Sequence, residues 1–150
     1  MTNTYTQIFI QIVFSTKHRQ KLIDGNWEIK LHKYISGIVE KKGHKMIVIN
    51  GMSDHIHILI GMKPFSSVSE LVREIKKSSM TYINDEKYCQ SKFQWQEGFG
   101  AFSYSLSDLE RVIHYINNQK NHHKQKSFED EYRLFLEKFK IDFDDRYLFG

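Results

Sequence analysis

Hydrophobic and polar positions alternate most sharply along Asp54-His55-Ile56-His57-Ile58-Leu59-Ile60, the pattern of a strand with two unlike faces. Strand side chains point to opposite sides with a period of two, so Ile56, Ile58 and Ile60 share one face and His55, His57 and Leu59 the other. The isoleucine face demands a core, while the other holds two imidazoles side by side. Residues 5–15 alternate in the same way, with Ile8, Ile10, Ile12 and Phe14 opposed to Gln7, Phe9, Gln11 and Val13. A helical period follows. Asn26 is placed to cap a helix to about Lys42, with Leu31, Ile35 and Ile38 inside and Gly43 at its end. A strand at 44–49 leads into Asn50-Gly51-Met52-Ser53, a hairpin signal that makes the histidine strand third and antiparallel to the second.

Pro64 ends that strand, and the serines at 66, 67 and 69 offer caps for a helix to about Asn84. Leu71, Ile75 and Tyr82 face its core side; Arg73, Lys76 and Lys77 lie outside. A fourth strand is expected at 93–96 or at 99–104, the glycines at 98 and 100 blurring the choice. Ser107, with Glu110 three residues on, forms a capping box for a third helix from Asp108 to about His122. A further helix is expected at 128–140. The order β-α-β-β-α-β predicts an α+β, ferredoxin-like (RRM-like) fold: an antiparallel sheet covered by helices on one face, plus an extra C-terminal helix bearing Tyr115. With the isoleucines under the two covering helices, the histidines fall on the open face.

Composition narrows this picture. A chain of 150 residues, 40% hydrophobic and 27% charged, suits one globular domain over 1–150, with a core at about 5–125 and an acidic helical tail at 127–150. One cysteine, Cys89, excludes a disulfide framework. The apolar run at 8–14 is interrupted by Gln11 and lacks a basic leader, so no membrane segment is expected and the cytoplasm is the expected location. The net charge of +4 divides unevenly, −3 on residues 127–150 and +7 on the rest, and a basic body suits a polyanionic partner.

The third helix adds candidate chemistry. Leu109, Val112, Ile113 and Ile116 form its apolar stripe, and Tyr115 and Gln119, four apart, share a neighbouring stripe with Arg111 and His122. A lone His-x-His is commonly a pair of hydrogen-bonded strand histidines, and a lone Tyr-x-x-x-Gln a core-edge tyrosine above a solvent glutamine. Together, on one sheet face and the helix that can dock there, they make a candidate site.

His55-Ile56-His57 and Tyr115-Ile116-Asn117-Asn118-Gln119, with the strand ending Phe14-Ser15-Thr16-Lys17-His18-Arg19, resemble the single-tyrosine HUH transposases of small single-strand insertion sequences, over roughly residues 5–125. The resemblance implies a DNA transposase that cuts and rejoins single-stranded transposon ends through a 5′-phosphotyrosine at Tyr115. It implies a metal site of His55, His57 and Gln119 holding Mg2+ or Mn2+, with Asp54 and His122 as accessory candidates, DNA hairpins as the ligand and a homodimer as the assembly. Glycines 98 and 100 would be the hinge of the tyrosine helix. Among the eight tyrosines, Tyr104 is the competitor nearest to Tyr115; Tyr34 and Tyr82 fall on core sides of helices, and Tyr132 and Tyr147 in the acidic tail. Candidate DNA contacts are Lys17, Arg19 and Lys21 after the first strand and Arg73, Lys76 and Lys77 on the second helix, with Phe9 or Trp95 as stacking surfaces. The rival readings are a replication-initiator-like HUH nuclease, a relaxase, a domesticated relative acting on host repeats, and a non-catalytic module that binds single-stranded nucleic acid.

Overall fold

Four strands carry the histidines into the middle of the molecule. The computed structural model describes residues 3–122 and 126–149, without the side chain of His122. Its elements are β1 (Phe9–Ser15), α1 (Glu28–Lys41), β2 (Lys45–Gly51), β3 (His55–Gly61), α2 (Val68–Glu86), β4 (Gly100–Tyr104), α3 (Leu109–Asn117), α4 (Gln119–His122), α5 (Phe128–Lys138) and α6 (Asp145–Leu148). The sheet order is β2-β3-β1-β4, every neighbouring pair antiparallel, which is the expected ferredoxin-like arrangement. The fourth strand falls in the later of its two expected positions. Residues 93–96 contribute only an isolated bridge, Trp95 to Thr16.

The period-two pattern decides what each face does. Ile12 and Phe14 of β1 join Ile56, Ile58 and Ile60 of β3 beneath α1 and α2, where they meet Leu31, Ile35, Leu71 and Ile75 in the main core. Each such side chain, fully buried, contributes roughly 1.5–3 kcal/mol. The opposite face, expected to be open, is covered twice. Leu59 packs with Val112 and Ile116 of α3, while Val13 and Phe102 pack with Phe128 and Leu136 of α5. His55 and His57 lie on this same face, beside both small clusters.

Local chemistry corrects several sequence-based boundaries. Asn26 does not cap α1; its N–H donates to Asp24 Oδ1 at 2.8 Å, and Trp27 stands at the N-cap without a side-chain bond. Ser67 does cap α2, accepting from the Glu70 N–H at 3.1 Å. Gly43 ends α1 at φ +89°, a conformation that favours glycine. Asn50 and Gly51 belong to β2, opposite His57 and Ile56, and the turn falls after them. A Cβ on Gly51 would lie 2.2 Å from the His55 carbonyl oxygen, so glycine there allows the histidine strand its close approach.

The tyrosine helix differs most. No capping box forms, because the Ser107 hydroxyl meets Ser105 at 2.9 Å and α3 starts at Leu109. The helix also breaks at Asn118, whose N–H donates to the His114 and Tyr115 carbonyls, so Gln119 opens α4 instead of continuing one turn above Tyr115. Gly98 precedes β4 and Gly100 opens it, paired with Val13 of β1, so they are not a hinge at the start of α3. Among the described residues no helix is long and apolar enough to cross a membrane.

Candidate functional site

His55 and His57 are both fully buried, their rings 5.2 Å apart between centroids. Each ring is held from behind through Nδ1, which leaves Nε2 aimed at a shared point. On His55, Nδ1 lies 2.6 Å from Asp54 Oδ1, so the aspartate orients that ring. Gln11, from the mixed face of β1, approaches His57 Nδ1 at 2.9 Å through its Nε2 and accepts from the Tyr104 hydroxyl at 2.7 Å through its Oε1. As an Nδ1 acceptor, His57 carries its proton on Nε2. Turning the Gln11 amide over would let its oxygen accept from Nδ1 and free the Nε2 lone pair for a cation.

Gln119, expected to project from the tyrosine helix, is fully buried, and its Oε1 lies 3.2 Å from His55 Nε2. The break at Asn118 turns it inward. Tyr115 stands on the other side of His57, with 6.0 Å between ring centroids. The structure therefore gathers His55, His57, Gln119 and Tyr115 in one place.

At their centre is a residue that the sequence reading assigned only to the acidic tail: Glu131 of α5, 2% exposed. Its Oε1 accepts from His57 Nε2 at 2.9 Å and lies 3.5 Å from His55 Nε2; its Oε2 accepts from Gln119 Nε2 at 3.1 Å and from the Tyr115 hydroxyl. A buried carboxylate is tolerated only when so satisfied. Ligand atoms of His55, His57 and Glu131 all lie within 4.8 Å of one another. The sequence did hold a signal. Phe128, Glu131, Phe135 and Leu136 fall at the spacing of one helix face, and an acid in an apolar stripe is the anomaly that marks a functional group.

This carboxylate shapes the electrostatics. Burial, then the Glu131 charge, then the hydrogen bond to it hold the Tyr115 phenol well above its ordinary value. Tyr104 is pushed up to about 12, mainly by burial. Both phenols are protonated at neutral pH.

The remaining candidates divide. Lys17, Lys21, Arg73 and Lys77 are exposed. Arg19 is engaged by the tail: it donates to the Phe149 carbonyl at 2.5 Å and lies 3.6 Å from Glu129. Lys76 donates to the Gln96 and Gly98 carbonyls at 2.7 and 2.6 Å, and burial lowers its pKa to about 8, so it fastens the segment before β4 instead of standing outside α2. Trp95 is buried and donates to Ser79 at 3.0 Å, which removes it as a stacking surface. Tyr34 is a surface residue stacked on Tyr82, centroids 4.2 Å apart, instead of a core one. The side chain of His122 lies outside the described residues.

Residues 4–119 match the model of a protein family described as "Transposase IS200 like". Among solved structures, the fold resembles a candidate transposase from Deinococcus radiodurans R1, with TM-score 0.65 and 17% identity over 79% of this chain and 95% of that one. It also resembles a REP-associated tyrosine transposase bound to a REP hairpin, with TM-score 0.62 and 15% identity over 82% of this chain and 73% of that one. No protein with a curated description matches the sequence.

Proposed function

The chain belongs to the IS200-like transposase family, and from that premise we propose that it nicks and rejoins single-stranded DNA at the ends of a mobile element, with Tyr115 as the nucleophile. The observation that carries this reading is the convergence of Tyr115, Gln119 and both histidines on one buried point. Tyr115 Oη attacks the scissile phosphorus, forming a phosphotyrosine as the bond to the 3′ oxygen breaks. The phenol loses its proton, and the departing 3′ oxygen takes one up. The phosphotyrosine keeps a reactive phosphoester bond, so a 3′ hydroxyl can reseal it. The non-catalytic alternative would stack bases on exposed aromatics of the sheet; here that face is packed beneath α3 and α5.

The donor set fits a divalent cation. His55 Nε2, His57 Nε2 and Gln119 Oε1 are neutral ligands, and imidazoles alone suit zinc better than magnesium. Glu131 supplies the missing charge and an oxygen donor of the kind that Mg2+ and Mn2+ take. Bound there, Mg2+ or Mn2+ would act as a Lewis acid toward the scissile phosphate. Glu131→Gln should weaken Mn2+ binding roughly 10–100-fold, at least the effect of losing an outer partner of a metal ligand. Titration calorimetry, or the loss of free Mn2+ paramagnetic signal, reads this directly, and unchanged affinity would remove Glu131 from the ligand set.

A hairpin at the element's ends is the proposed recognition feature, with Lys17, Lys21, Arg73 and Lys77 against its phosphates. The test of the function is a labelled single strand carrying the inverted repeats that flank the gene. With divalent metal, protein-linked DNA should survive denaturation; its absence for every flanking strand would sink the reading. A homodimer is proposed as well, since two ends must be joined, and light scattering should give about twice 18.0 kDa. Because Tyr115 meets the histidines of its own chain, mixed dimers of Tyr115→Phe and His57→Ala chains should show no rescue.

A further inference from the structure

The histidine side of the site is closed, since His55, His57 and Gln119 have no exposed surface. Tyr115, by contrast, lines a cavity of about 310 Å³ on its other side. Gln11 and Tyr104 of the sheet form one part of the wall, and Leu134 and Phe135 of α5 another, with Glu131 beside the tyrosine. The volume falls at the lower end of small-ligand sites, roughly 300–1,000 Å³. It has room for one nucleotide and none for a duplex.

Its chemistry is graded. The inner wall offers the aromatic rings of Tyr104 and Phe135, while the Tyr104 and Tyr115 hydroxyls already donate to Gln11 and Glu131. Arg111, Lys126 and Lys138 also line the cavity; Arg111 is paired with Asp108, and with Glu131 counted as well the balance is still positive. Lys138 and Arg111 are both exposed, so they stand at the mouth. Aromatic walls below a cationic mouth are the two ingredients of single-strand binding: stacking for a base and charge for the backbone. The tail helix supplies much of this wall, so the residues beyond the matched family segment help build the site.

We propose that this cavity is the nucleotide pocket of the nicking site. It takes the one deoxynucleotide that adjoins the scissile phosphate, its base against Tyr104 and Phe135, one phosphate at Tyr115 and the next at the cationic mouth. The proposal rests on the nicking reaction above, and it assigns α5 as a wall of the working site.

The four 5′-deoxynucleoside monophosphates, titrated separately into the full chain and followed by NMR, provide the test. Shifts should concentrate on Tyr104, Val112, Leu134 and Phe135, and inorganic phosphate alone should not reproduce them. Leu134→Trp, a half-exposed position on α5, should fill the cavity and weaken nucleotide binding roughly tenfold or more, about 1.4 kcal/mol. Its melting temperature and hairpin binding should be unchanged. If Leu134→Trp fails to fold, Lys138→Glu at the mouth carries the same expectation. Absence of shifts at millimolar nucleotide, shifts confined to other surfaces, or wild-type nicking by a folded Leu134→Trp chain would each overturn the pocket. Adduct formation by the wild-type protein is scored in parallel. An adduct without nucleotide binding rejects the pocket alone, and nucleotide binding without an adduct rejects the nicking reaction while leaving a nucleotide site.

Discussion

Tyr115→Phe should fold, bind hairpin DNA and form no covalent adduct at all. The substitution removes one oxygen, and the ring's contacts to His57 and Phe135, at 6.0 and 5.8 Å between centroids, remain. What is lost is the nucleophile, together with one of the hydrogen bonds that Glu131 accepts. That carboxylate keeps His57 and Gln119 as donors, so the stability cost should stay near 0.5–1.5 kcal/mol. Tyr104→Phe is the control. Tyr104 bonds to Gln11, on the far side of His57 from the carboxylate, so its hydroxyl positions an amide and is not aimed at the cation site. Its loss should slow adduct formation without abolishing it. A denaturing gel of a strand labelled 3′ of the cut separates the two, and an adduct from Tyr115→Phe that disappears in Tyr104→Phe would transfer the nucleophile to Tyr104. Activity should also rise with pH. The Tyr115 phenol is held above its ordinary value by burial and by Glu131, so neutral solution populates its anion poorly.

The fold was legible wherever one periodicity dominated. Ile56, Ile58 and Ile60 alternate with His55, His57 and Leu59, and that pattern placed both the core and the histidines on their faces. Position along the helix was less legible. Tyr115 and Gln119 sit four apart, as on one helical turn, yet they reach Glu131 across a break at Asn118 that no proline or glycine announces. Ser107 and Glu110 had the spacing of a capping box, but a tight turn over Leu106–Asp108 spent the serine on Ser105. Glu131 was missed for a different reason. Net charge described the tail as a solvated acidic segment, and averaging over 24 residues hid the one acid that lies on the apolar face. A basic stretch after the first strand and the outward side of a helical period made Arg19 and Lys76 look like free DNA contacts, although one is engaged by the tail and the other by backbone carbonyls.

His55→Ala with His57→Ala should abolish both cation binding and adduct formation, but the structure changes what else to expect. As open-face ligands, these histidines would leave the fold indifferent to their loss. Instead they are buried, and His57 Nε2 is a principal donor to the Glu131 carboxylate at 2.9 Å. Removing it leaves a buried acid short of a partner, a cost of about 1–3 kcal/mol and more for a charged group. For a chain of this size that corresponds to a fall of roughly 2–12 °C in melting temperature. Loss of activity in the double variant would therefore confound a missing cation with a loosened tail helix. Adding Glu131→Gln separates the two, because a neutral amide in the same place needs less compensation. The triple variant should regain most of the lost melting temperature while Mn2+ binding and the adduct stay absent. Adduct formation by the refolded triple variant in ordinary Mg2+ would show that the chemistry does not use this site. Failure to regain stability would mean that the histidines support the sheet themselves, through their packing against Phe128 and Phe135.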